Sequence, residues 1–97
     1  MVGDVYTAMA NVNAANYLEV APIAGREYVI HNIFHENDIE LKLVDGGGNE
    51  LAFFEEAGKN FLTNMYIHLA STQYLRIYNR AVSSQRIGAD GIITKDT

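Results

Sequence analysis

The sequence predicts one all-β domain, a compact antiparallel β-sandwich or jelly roll of about seven or eight strands. Three observations predict it. Strand signals repeat along nearly the whole chain, whereas a helical apolar period is hard to sustain anywhere beyond the first fifteen residues. Clusters of Gly, Asn, Asp and Ser interrupt the alternation at roughly eight-to-twelve-residue intervals, the spacing of short strands joined by tight turns. No repeat, low-complexity tract or linker divides the 97 residues. Residues 16–97 are therefore expected to form the sandwich, and residues 1–15 an N-terminal arm or a weak first strand.

Val5 to Met9 carry a weak strand pattern, while Ala8 to Ala15, rich in Ala and Asn, suit a short helix or an extended arm equally. Tyr17 to Val20 form a strand that Pro22 and Gly25 end. Glu27 to Phe34 places Tyr28, Ile30, Asn32 and Phe34 on one face and Val29, His31 and Ile33 on the other. Both faces call for cover, so this is a central strand. Ile39, Leu41 and Leu43 alternate with Asp38, Glu40 and Lys42, the pattern of one dry face and one charged, wet face. Asp45-Gly46-Gly47-Gly48-Asn49 offers residues that enter positive φ cheaply and predicts a hairpin into Glu50 to Phe54. After a turn at Glu55 to Lys59, Phe61, Thr63, Met65, Ile67 and Leu69 alternate with Leu62, Asn64, Tyr66 and His68, predicting the longest strand over Asn60 to Leu69. Ser71-Thr72 and Ser83-Ser84 bound a strand over Gln73 to Asn79, and Gln85 to Thr94 is the last, with Gly88 and Gly91 marking a bulge or bend.

A domain this short buries only roughly 60 to 65% of the surface its unfolded chain exposes, and small domains offset a thin core with disulfides, a metal or subunit contacts. With no cysteine, oligomerisation is the expected remedy. The start Met1-Val2-Gly3-Asp4 lacks a secretory pattern, which predicts synthesis in the cytoplasm. No apolar run approaches the roughly 20 residues of a membrane-spanning helix, so a soluble protein with no membrane partner is expected. Twelve acids against seven Lys and Arg give a net charge of −5, which disfavours a nucleic-acid partner. The charges are unevenly placed. Glu36, Asp38, Glu40, Asp45, Glu50, Glu55 and Glu56 share the middle with Lys42 alone, and Arg76, Arg80 and Arg86 follow. That asymmetry reads first as a solvated face and, as the alternative, as a contact in which the acidic middle of one subunit meets the basic late segment of a neighbour.

Catalytic and metal chemistry find little to stand on. His31 and His35, with Glu36 and Asp38 nearby, are the best metal candidates, but residues four apart on a strand lie roughly 13 Å apart. His68, beside Asn64 and Tyr66, reads as structural too. The Asp45 to Asn49 stretch lacks the Lys-Ser/Thr of a P-loop and the alternating acids of an EF-hand, so it reads as a turn. Glu55 and Glu56 point to opposite faces and read as turn residues. No Gly-x-Ser-x-Gly or His-Glu-x-x-His is present, and no enzyme activity and no cofactor are expected. Tyr74 and Tyr78 flank Arg76 on one strand face, and Tyr with Arg is typical of interface hot spots. Tyr74, Arg76, Tyr78 and Arg80 are thus the expected subunit contact.

Four stretches, Glu27-Tyr-Val-Ile-His-Asn-Ile-Phe34, the Asp45 to Asn49 turn, Gln73-Tyr-Leu-Arg-Ile-Tyr-Asn79 and Arg86-Ile-Gly-Ala-Asp-Gly-Ile-Ile-Thr-Lys95, together resemble small structural proteins of tailed bacteriophages. The resemblance runs from about Tyr17 to Lys95 and lies in strands and turns, so no functional residue is carried over from it. It implies a virion component on the capsid surface: a decoration or cement protein that forms a homo-oligomer, with a trimer favoured, and bridges subunits of the phage major capsid protein. Val5, Tyr6, Met9 and Val12 would then belong to a capsid-contacting arm. The alternatives are a head-to-tail connector or tail component, a receptor- or carbohydrate-binding sandwich, and a cupin-like enzyme, for which the histidine spacing is poor.

Overall fold

Alternation becomes pairing in the computed structural model, which describes residues 1–96. The strands are β1 (Val5–Val12), β2 (Tyr17–Val20), β3 (Arg26–His35), β4 (Ile39–Asp45), β5 (Glu50–Glu56), β6 (Asn60–Leu62), β7 (Ile67–Ala70), β8 (Gln73–Asn79) and β9 (Gln85–Asp96), with no helix among the described residues. The strands join in one antiparallel sheet of order β1-β9-β3-β7-β8-β4-β5, with β2 paired to β8 and β6 to β3. The sheet closes over a single core. Val20, Leu75, Ile77, Ile39 and Leu41 from the β2-β8-β4 half pack in one cluster with Tyr28, Ile30, Ile33, Ile87 and Ala89 from the β3-β9 half. The shortest dimension, 20 Å, fits two layers at the roughly 10 Å spacing of packed sheets. The all-β class is as the sequence predicts.

Residues 1–15 hold a full strand. β1 pairs with β9 without interruption from Val5↔Ile92 to Val12↔Gln85, and neither a helix nor a detached arm is present there. Its end is tied in by Ala15, at φ 66°, whose N–H donates to Asn79 O at 3.2 Å.

The predicted long strand over Asn60 to Leu69 is two strands, β6 and β7, separated at Thr63 to Tyr66, with Asn64 at φ 59°. The cause lies on the neighbouring strand. β3 pairs Ile30 with Gly91 and Asn32 with Asp90, so His31 is the extra residue of a bulge. The bulge turns Ile30 and Ile33 to the same core, where strict alternation puts them on opposite faces. His31 is met from the break instead: Met65 N–H donates to His31 O at 3.0 Å, and His31 Nδ1 donates to Met65 O at 3.1 Å. β9, at twelve residues, is the longest strand.

The hairpin over Asp45 to Asn49 forms as predicted, and Asp45 organises it. Its Oδ1 accepts from Gly47 N at 2.8 Å and Asn49 N at 3.0 Å, while Gly48 takes φ 84°. The face of β4 read as wet is partly covered, with Glu40 buried beneath Arg80 and beside Lys42.

Candidate functional site

The predicted contact face is assembled, and its charges are satisfied within one chain. On β8, Arg76 lies opposite Glu19 of β2 and Lys42 of β4, and Tyr78 lies opposite Tyr17 and Glu40. Arg76 Nε donates to Glu19 Oε1 at 3.0 Å and its Nη1 to Glu50 Oε2 at 2.9 Å. Its guanidinium sits 4.5 Å from the Tyr17 ring and 5.9 Å from that of Tyr74. Tyr78 Oη also donates to Glu50, and Arg80 Nε donates to Glu40 Oε1 at 2.9 Å. Burial works against the Arg76 charge, but the carboxylates of Glu19 and Glu50 outweigh it and hold its pKa above the ordinary value. Hydrogen bonds from Tyr78 and then Arg76 hold the Glu50 carboxyl below its usual range. The acidic middle and the basic late segment thus meet here inside one chain, with no second subunit needed.

The four residues assigned to an arm divide. Val12 is buried in the core, and Tyr6 stacks on Tyr28 with ring centroids 4.3 Å apart. Val5 and Met9 are exposed, at 68% and 63%. Ile93 N–H donates to Asp4 O at 3.0 Å, so antiparallel alternation turns the backbone groups of Tyr6, Ala8 and Ala10 to β9 and those of Val5, Thr7, Met9 and Asn11 outward. The free edge of β1 carries no charge and no proline. At the opposite edge, β5 exposes Leu51, Phe53 and Phe54. Leu41↔Phe54 followed by Lys42↔Ala52 leaves Phe53 as the unpaired residue of a bulge.

The histidines are engaged separately. His35 is buried, with Nδ1 2.8 Å from Asn37 O and Nε2 2.7 Å from Glu56 Oε1, while His68 Nε2 lies 2.7 Å from Glu27 Oε1. Among the described residues no three His, Asp or Glu side chains gather in a metal-binding group, and no helix is long and apolar enough to cross a membrane.

One feature escaped the sequence patterns. Phe34 and Phe61 stack with centroids 5.4 Å apart and planes 20° from parallel, at the wall of an open groove of about 430 Å³. Phe61 is 55% exposed. The ring of Phe34 lies over Gly88, where a Cβ would come within 2.0 Å of Cε2. Lys59 and Arg86 also line this groove, with His35, Glu36 and Asn60. Five of the seven Lys and Arg side chains, Arg26, Lys42, Arg76, Arg80 and Lys95, make ion pairs. Lys59 and Arg86 make none among the described residues. Glu36 bonds the Arg86 backbone instead, its Oε1 accepting from Arg86 N at 2.7 Å. Phe61, the one aromatic of β6, was the available signal, but the stack depends on the pairing of Phe34 with Phe61 across β3 and β6.

No protein-family model matches the chain, and no curated protein sequence matches it significantly.

Proposed function

We propose that this chain is a non-enzymatic structural protein of a tailed-phage virion, a decoration or cement protein that self-associates, most simply as a trimer, and bridges major capsid subunits on the head surface. The observation that carries the reading is the distribution of exposed apolar side chains. Val5 and Met9 lie on one free sheet edge, Leu51, Phe53 and Phe54 on the other, and Phe61 on the groove beside β3. Sheet edges offer backbone hydrogen bonds to an incoming strand and are normally guarded by charge or proline, and the β1 edge has neither guard. A subunit of a shell uses such surfaces, because many modest contacts repeated over a lattice hold strongly without any chemistry. The resemblance along Tyr17 to Lys95 supplies the virion setting.

Light scattering on the purified protein tests the reading first, followed by its addition to phage heads stripped of accessory proteins. A trimer that binds the heads and raises their rupture temperature is the expected result. A ring of about six or more copies would replace it with a head-to-tail connector or tail component. A protein that stays monomeric and binds no head would overturn it.

A further inference from the structure

We infer that the Phe34–Phe61 groove is the socket for the β5 edge of a second copy of this chain, with Phe53 of that copy laid on the aromatic stack and its Glu55 held by Lys59 and Arg86. The inference rests on the proposal that the protein works as a homo-oligomer, and it names the surfaces that would join.

In a chain with five more acids than bases, five of the seven Lys and Arg side chains are paired, and the two without an ion pair among the described residues line the same groove, where Glu36 is engaged by the Arg86 backbone. A cation left unpaired beside an exposed aromatic stack is suited to a segment that is both apolar and acidic. β5 is such a segment: Glu50-Leu-Ala-Phe-Phe-Glu-Glu56, exposed along almost its whole length. Three of its residues are engaged within the chain. Glu50 is held by Arg76 and Tyr78, Glu56 faces His35, and Phe54 pairs with Leu41. Glu55 lies opposite Glu40, hydrogen-bonds it and lines a cleft with Arg80, but makes no ion pair among the described residues, and Phe53 is the bulge residue that the β4 ladder leaves over. The acid without an ion pair and the unmatched ring therefore stand two residues apart on one edge, and the unpaired cations and stack stand together in one groove.

Pairing β5 with itself is disfavoured, because antiparallel pairing about Phe53 sets Glu50 against Glu56, and like charges directly opposite destabilise a sheet. Contact between two different surfaces of identical subunits is heterologous and closes into a ring when the rotation permits. Such a ring serves a shell protein seated on a symmetry axis.

The test is native mass by light scattering as a function of protein and salt concentration, on the full chain. Wild type is expected to be oligomeric at low salt and to dissociate as salt screens the contact. Lys59→Glu, at an exposed position, should raise the protein concentration needed for half-assembly by about ten-fold or more while leaving the circular dichroism spectrum unchanged. Adding Glu55→Lys to the same chain should restore assembly, because the pair is swapped, not removed. Phe61→Ser should weaken assembly without changing its salt dependence. A wild type that is monomeric at all concentrations would overturn the socket and leave capsid binding to be measured separately. An oligomer indifferent to Lys59→Glu, or a swap that fails to restore the mass, would overturn the socket while leaving the oligomeric cement reading intact.

Discussion

Gln85 Nε2 donates to Asn79 Oδ1 at 2.7 Å in the interior, and these two amides fasten together segments that the sheet alone does not join. Asn79 Nδ2 donates to Val12 O at the end of β1 and to Ser83 O in the β8–β9 turn, both at 2.9 Å, and its Oδ1 also accepts from Ala81 N. Gln85 reaches the β3–β4 turn, donating to Asp38 O at 2.8 Å and accepting from Asn37 N at 2.8 Å. Asn79→Leu keeps the volume but strands several buried donors and acceptors, and should cost about 3 to 5 kcal/mol. The urea midpoint should fall with the slope unchanged. A loss under about 1 kcal/mol would mean that water replaces the amide, and the hub would carry no special weight.

Gly91 and Gly88 should respond differently to the same added methyl. At Gly91 a Cβ would meet Val29 O at 2.0 Å and Ile30 Cα at 2.8 Å, both backbone, next to the His31 bulge. Gly91→Ala therefore has to break the β3–β9 register and should cost more than about 3 kcal/mol or prevent folding. At Gly88 the nearest atoms belong to the Phe34 ring, with Ala8 O at 2.9 Å. A side chain gives way more easily than backbone, so Gly88→Ala should cost about 1 to 3 kcal/mol. It should also displace Phe34 from Phe61, read as a loss of ring-current shifts in the Phe61 NMR signals. Equal melting temperatures for the two variants would contradict the distinction.

Removal of residues 1–15 should damage the domain. β9 would lose its partner from Val5 to Val12 and present a twelve-residue edge, the core would lose Val12, and Tyr28 would lose the Tyr6 ring. The truncated protein is expected to melt more than about 10 °C lower and to aggregate through the bared edge. Thermal circular dichroism with light scattering checks both. An unchanged melting temperature would restore the view of this segment as a dispensable arm.

Local chemistry made part of the fold legible. The Asp45 to Asn49 hairpin was readable because an Asx turn with glycines is encoded within five residues. Tyr17 to Val20 and Gln73 to Asn79 were readable because alternation there runs cleanly between breakers. The split between β6 and β7 was not, since Thr63 to Tyr66 contain no Gly or Pro to mark a break, while the chain leaves the ladder to meet a bulge some thirty residues earlier in sequence. Bulges are set by pairing, and pairing is nonlocal. The same limit hid the groove: Phe34, Lys59, Phe61 and Arg86 come from separate elements, and only the β3–β6 and β3–β9 registers bring them together. On β8, sequence located the Tyr-Arg-Tyr face, but the partners that neutralise it, Glu19 and Glu50, depend on which strands flank β8 and β4.

Acid should unfold the protein through a small group of carboxyls held below their ordinary range. Glu50 is held there by Tyr78 and Arg76, Glu40 by Arg80, Asp45 by Asn49 and the turn amides, and Asp96 by the N-terminal ammonium and Arg26. In the unfolded chain these groups take up protons at about pH 4, whereas in the folded protein they do so only at lower pH. Between those values the unfolded state binds more protons, so stability falls as pH falls. Their contribution should be fully present above about pH 5 and be lost progressively below pH 4. Tyr78→Phe removes the leading hydrogen bond to Glu50 and lets its carboxyl return toward the ordinary value. The variant should therefore be less stable than wild type at pH 7, with the gap narrowing as pH falls below the ordinary carboxylate range and folded wild type takes up the Glu50 proton. Urea midpoints measured across this range decide the matter. A gap that stays constant with pH would assign the role of Tyr78 to packing against Tyr17 instead of to the Glu50 carboxylate.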